Sequence, residues 1–201
     1  MPRSGERGGP QTRARILEVA NRLFLERGFD AVTVAEVARE AGVSSVTVFN
    51  HFATKEDLFL DRAADAEELL TRAVRERAPG TEVLASLRTA ALRLLDERSA
   101  FAGVDERSVG FLRTVAGSPA LVARARAIAA HLQRLLADEL EADTAFRGDA
   151  ALLAAFFIAG YGTALSETAG QRLAGVPSEE AAVDHRARLD RLFDALRDGV
   201  G

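Results

Sequence analysis

The side chains with most chemistry to offer are short and nearly uncharged: Ser45, Val46, Thr47, Phe49, Asn50 and His51, crowded into seven consecutive positions. On a helix whose Val48 and Phe52 turn inward, these six face outward or partly so. Asn, Ser and Thr can hydrogen-bond base edges in a DNA major groove, and Val or Phe can meet a thymine methyl. Cations surround the stretch. Arg3 and Arg7 near the amino end and Arg13 at the start of the first helix can neutralise phosphates. Thr33 and Ser44 open helices, where unpaired amides favour an anion. Lys55 is the single lysine of the chain. In the first turn of a helix it opposes the helix dipole and calls for a partner, either a phosphate or Glu56 or Asp57.

Other chemistries find little support. The chain has no cysteine, which removes disulfides, thiol nucleophiles and thiolate metal sites. Its three histidines, His51, His131 and His185, are scattered, with no partner at metal-ligand spacing. No HExxH, phosphate-binding loop or nucleophile elbow is present. The carboxylate pairs Glu67 and Glu68, Asp138 and Glu139, Glu179 and Glu180 are adjacent, so on a helix they diverge. No enzyme, metal or cofactor is expected.

The elements that must position the short polar stretch are helical. Ile16, Ala20, Leu23 and Phe24 fall at i, i+4, i+7, i+8; Leu189, Leu192, Phe193 and Leu196 repeat the habit. No run alternates as a strand would, so the chain reads as all-α, with about nine helices. Thr33 with Glu36 makes a capping box. Ala41, Gly42, Val43 and Ser44 form the turn of a helix-turn-helix, with Gly42 suited to a left-handed backbone and Val43 plugging the angle. Thr54 with Asp57 resembles a second box, expected to open one long amphipathic helix reaching about Ala78. Three parts follow: a flexible basic arm at 1–11, a helix-turn-helix domain at 12–55, and a helical regulatory and dimerisation domain at 56–201.

Charge is divided unevenly. Up to residue 55 there are eight Lys+Arg against six Asp+Glu; beyond it there are eighteen against twenty-four, within a net charge of −4. A mildly cationic head on an acidic body suits an anionic polymer at one end. The start, MPRSGERGGP, is polar, and a cytoplasmic location is expected. The run ALLAAFFIAGYGTAL carries glycines and a threonine and is expected to form a helix buried on most sides in a soluble assembly, not a membrane span.

Residues 33–58, TVAEVAREAGVSSVTVFNHFATKEDL, within the frame 12–58, resemble the DNA-binding domain of the TetR family of bacterial transcriptional regulators. Gly28, Phe29, Thr33, Ala41 to Ser44, Phe49, His51, Phe52, Lys55 and Leu58 carry the likeness. The resemblance implies phosphate contacts at Thr33, Phe49, His51 and Lys55, and base reading by Ser45, Val46, Thr47 and Asn50. Two positions depart from the family's habit. Phe49 stands where a tyrosine is usual, so a phenol–phosphate hydrogen bond is lost. Val46 stands where glycine or another small residue is usual, which narrows the sequences it can approach. A ligand-binding module whose DNA head has decayed is the alternative that these departures leave open.

For the rest of the chain the resemblance implies a homodimer on a palindromic operator, acting as a repressor released by a small hydrophobic effector. Ala155, Ala159 and Gly162 of one helix and Leu189, Leu192, Phe193 and Leu196 of the next are the expected dimer contacts. Phe101, Phe111, Leu112, Val115, Leu135, Phe156 and Tyr161, with His131 as a polar selector, are the expected walls of the effector chamber.

Overall fold

The computed structural model describes residues 9–200, and among them are nine α-helices, two 3-10 turns and no strand. In order these are α1 (Gly9–Arg27), α2 (Val34–Glu40), α3 (Ser45–His51), a 3-10 turn (Glu56–Leu58), α4 (Ala63–Arg75), α5 (Val83–Asp96), a second turn (Ala100–Ala102), α6 (Ser108–Ala116), α7 (Pro119–Ala142), α8 (Ala150–Leu173) and α9 (Ser178–Val200). Arg3 and most of the expected arm lie outside the described residues. Gly9, Pro10 and Gln11 do not belong to an arm, because α1 already includes them. Pro10 costs nothing there, since a first-turn N–H has no intrahelical partner anyway.

Two compact units result, one of residues up to Asp61 with Arg113–Ala125, the other of Arg62–Leu112 with residues from Arg126 onward. The first unit is built on Ile16, Ala20, Leu23 and Phe24 of α1, buried at the expected spacing. Phe29 and Phe59 pack their rings against Phe24, with centroids 4.9 and 5.7 Å away. Val37, Ala38, Val48 and Phe52 bring α2 and α3 into the same core. The unit does not stop at residue 55, because Leu58, Phe59 and Leu121 are buried in that core too.

The expected helix from Thr54 to Ala78 is broken. The box itself forms: Thr54 N donates to Asp57 Oδ2 (3.0 Å) and Asp57 N to Thr54 Oγ1 (3.3 Å). It closes only the 3-10 turn, since Leu58 and Phe59 both enter the first core and draw the chain off a helical path. α4 begins afresh at Ala63.

In the second unit α8 and α9 form a helical hairpin, α5 packs on α9 and α4 on α5. Leu87, Leu136, Leu140, Leu153, Ala154 and Phe157 share a core with Leu189, Phe193 and Leu196. These three α9 residues therefore do not face a partner, as expected from their stripe, but fill the chain's own interior. Leu192 packs against that core over Gly160, where an added Cβ would collide with its Cδ1. α8 is the one described helix long and apolar enough to cross a membrane, with a mean hydropathy of 1.4 over its most apolar window. It is buried on the α9 side but not on most sides. Leu152, Phe156, Ala159, Thr163, Ser166, Gly170 and Leu173 form an exposed stripe at helical spacing.

Candidate nucleic-acid interface

Local chemistry builds α3 before packing does. Gly42 takes φ +67°, a left-handed turn that only glycine adopts freely, and Val43 N returns to Ala38 O (2.9 Å). Ser44 then caps α3, its Oγ accepting from Thr47 N at 3.0 Å. Val48 and Phe52 anchor the inner face, as their spacing requires. Val46 is left 69% exposed and Phe49 53%, with Asn50 exposed and Ser45, Thr47 and His51 half-buried.

Among these, the structure separates free groups from engaged ones. Ser44 Oγ and Thr47 Oγ1 lie 2.9 Å apart and share a hydrogen bond, so both hydroxyls are partly committed. Asn50 and Ser45 make no side-chain hydrogen bond among the described residues. His51 lies with its ring beside Phe52, centroids 6.4 Å apart. The Thr33 box holds a carboxylate at the start of α2: Glu36 Oε2 accepts from Thr33 N (2.8 Å) and Thr33 Oγ1 (2.9 Å). The Thr33 amide, Arg27 and the Thr33 hydroxyl hold the Glu36 carboxyl down at about 2.

The cations sort the same way. Lys55 is not in the first turn of a long helix; its Nζ donates to Phe29 O (2.7 Å) and sits over the Phe29 ring, 4.1 Å from the centroid. Burial lowers its pKa, with Asp30, Glu56 and Glu36 opposing. Arg13 lies over the Phe52 ring at 4.8 Å, with Asp61 3.8 Å away. Arg22 pairs with Glu26 and Glu40, and Arg27 with Glu36. Arg15 and Arg39, which the sequence reading did not single out, are exposed and have no ion-pair partner among the described residues. Arg15 Nη2 lies 3.9 Å from where a Cβ on Gly42 would stand, beside the turn into α3. The available signal was local: neither arginine has an acidic residue four positions away, whereas Arg22 has two.

A direct contact joins two of the expected effector walls. Tyr161 and Phe101 meet, the phenol donating to Phe101 O at 3.1 Å, and burial pushes its pKa up to about 12. Leu112 and Leu135 are half-buried, Phe111 is exposed, and His131 is exposed with Nε2 3.1 Å from Glu67 Oε1. Val115 packs on the first unit's core, and Phe156 lies on the outer stripe of α8. Two depressions of about 350 and 300 Å³ lie within the second unit against α4 and take in none of these residues. Of the remaining dimer candidates, Ala155 and Gly162 are half-buried and Ala159 is exposed on α8.

Fold and site together define a helix-turn-helix protein, with a capped recognition helix on a three-helix head and a separate helical unit. Residues 16–61 match the model for "Bacterial regulatory proteins, tetR family". AcrR, a helix-turn-helix-type transcriptional regulator of Shigella flexneri, is 39% identical over 59 residues, 29% of this chain and 27% of that protein. TtgR of Pseudomonas putida is 32% identical over 100 residues, 48% of this chain and 47% of that protein. The matched segments thus span between about a quarter and a half of these relatives. The solved SmeT–triclosan complex has the same fold, with TM-score 0.62 at 18% identity, over 92% of this chain and 91% of that one. Residues 16–61, just under a quarter of the chain, are thus similar to the TetR family.

Proposed function

We propose that the protein is a sequence-specific DNA-binding transcriptional regulator, a cytoplasmic repressor that dimerises on a palindromic operator and is released by a small hydrophobic effector. The observation that carries this reading is α3: capped, anchored by Val48 and Phe52, and offering Val46, Asn50 and Ser45 to the exterior. Arg15 and Arg39 join Arg3, Arg13, Thr33 and His51 as candidates for backbone contact. Dimerisation brings two recognition helices about 34–36 Å apart, one duplex turn, and converts two weak half-site contacts into one strong one.

The exposed stripe of α8 suits a second copy: large Leu152, Phe156 and Leu173 flank small Ala159, Thr163, Ser166 and Gly170, which allow close helix approach. Release requires an effector that binds the DNA-incompetent arrangement more tightly. SmeT binds triclosan, an aromatic and largely apolar molecule, which supports an effector of that kind here. Fluorescence anisotropy on duplexes enriched from a random pool tests the reading. Specific binding that weakens steeply with salt upholds it, and flat, sequence-blind binding overturns it.

A further inference from the structure

The outward face of α3 is unusual in which groups it leaves unengaged. Ser44 Oγ and Thr47 Oγ1 bond each other, and Ser44 Oγ also accepts from Thr47 N. Two of the hydroxyls that could probe a base edge are therefore partly satisfied within the chain. Val46, between them, is 69% exposed, and its two γ-methyls can neither donate nor accept. Val46 and Asn50 lie one helical turn apart, about 6 Å at 1.5 Å per residue. Base pairs are stacked about 3.4 Å apart, so one turn of α3 addresses two neighbouring steps.

Taking α3 as a DNA-recognition helix, the geometry points to Val46 as a specificity determinant that selects the C5 methyl of a thymine in each operator half-site. No other base offers a methyl in the major groove: guanine and adenine present polar acceptors and donors there, and cytosine has only a C5–H beside its N4 amine. Against a purine, or the N4 amine of cytosine, the valine side chain strips water from a polar group and returns no hydrogen bond. Against thymine, methyl meets methyl, and apolar surface on both partners leaves water. Neighbouring Asn50, with its amide free, reads the adjacent step independently, so loss of one contact leaves the other in place.

Deleting the methyl alone is chemically feasible. Duplexes are enriched from a random-sequence pool with the full-length protein, and each thymine of the winning sequence is then replaced in turn by uracil. One thymine per half-site is expected to be sensitive, binding weakening about fourfold for each half-site altered, the value of one buried methyl group. Val46→Ala is expected to lose most of that difference between thymine and uracil duplexes while melting at the parent's temperature, because the side chain is exposed. The contact is overturned, with the DNA reading intact, if no thymine is sensitive. The same holds if the uracil effect in Val46→Ala equals that of the parent. A pool in which no sequence is enriched overturns the DNA reading and the contact together.

Discussion

The first unit and the second hold their helices by different means. In the first, α2 and α3 have seven residues each, too short to persist alone, and each is fixed by a side-chain cap. Their short inner faces then close over one aromatic nucleus, Phe24, Phe29 and Phe59. In the second, α8 and α9 have 24 and 23 residues and are held by long meshing faces, with Gly160 allowing Leu192 to seat against α8. A unit held by one nucleus is vulnerable at a point; a unit held along a seam is vulnerable to changes in spacing.

Truncation and insertion separate the two. Phe24→Ala is expected to cost about 3–5 kcal/mol in urea unfolding of the first unit and to abolish DNA binding with it. Phe156→Ala, on the exposed stripe of α8, is expected to leave the isolated chain's stability within about 0.5 kcal/mol and to weaken self-association. A Phe24→Ala protein as stable as its parent refutes the nucleus. Next in size is Gly160→Ala, expected to cost about 1–3 kcal/mol by overpacking against Leu192. Adding Leu192→Ala should recover part of that loss, so the double mutant is more stable than the sum of the singles; strict additivity would show that the two positions do not meet.

The same contrast explains what was legible beforehand. Caps and turns are local, so Thr33 with Glu36, Gly42, Ser44, and the inward Val48 and Phe52 were readable from spacing alone. The stripe of Leu189, Leu192, Phe193 and Leu196 was equally visible, but periodicity shows only that a face is buried, not whether the chain or a second copy covers it. α8 is apolar nearly all round, so its exposed stripe had no polar counterpart to mark it. The Thr54 box was correctly seen and wrongly extended, because burial of Leu58 and Phe59 in the first unit's core is a tertiary fact. Lys55 was misread for a related reason: its partner, the Phe29 carbonyl, lies 26 residues away and on the backbone.

Lys55 is therefore a sharper probe of the first unit than of its ligand. With its ammonium on Phe29 O and over the Phe29 ring, Lys55→Ala is expected to lower stability by about 1–2 kcal/mol, in the range of a partly desolvated cation–π contact. The dependence of DNA affinity on salt should stay as in the parent. A slope flattened by about one unit, with stability unchanged, would return Lys55 to the phosphates.

The second unit has its own polar interior, and pH exposes it. His185 of α9 is 0% exposed. Thr168 Oγ1 donates its one proton to Ala164 O (2.9 Å) and therefore accepts from His185 Nδ1–H, 2.7 Å away, leaving Nε2 a bare lone pair with no partner. The Tyr161 ring stands edge-on to the imidazole, centroids 6.2 Å apart, and Arg188 is the charged group acting on it. Burial, with Arg188, lowers the histidine pKa from its ordinary 6.5 against the backbone hydrogen bond that raises it. Since the folded pKa is the lower, the unfolded chain binds the proton first. The contribution of neutral His185 is complete above about pH 6.5 and is lost as pH falls from there through the folded pKa, at no more than about 1.4 kcal/mol per pH unit. His185→Gln carries no titrating group, so its unfolding midpoint should fall less between pH 7.5 and 5.5 than the parent's. Because no cap or aromatic nucleus of the first unit involves His185, DNA-head unfolding should show no difference between the two proteins over that range. Parallel pH curves for the second unit would mean that the imidazole finds an acceptor or water when charged, and that the α8–α9 seam is less tightly closed than Gly160 and Leu192 imply.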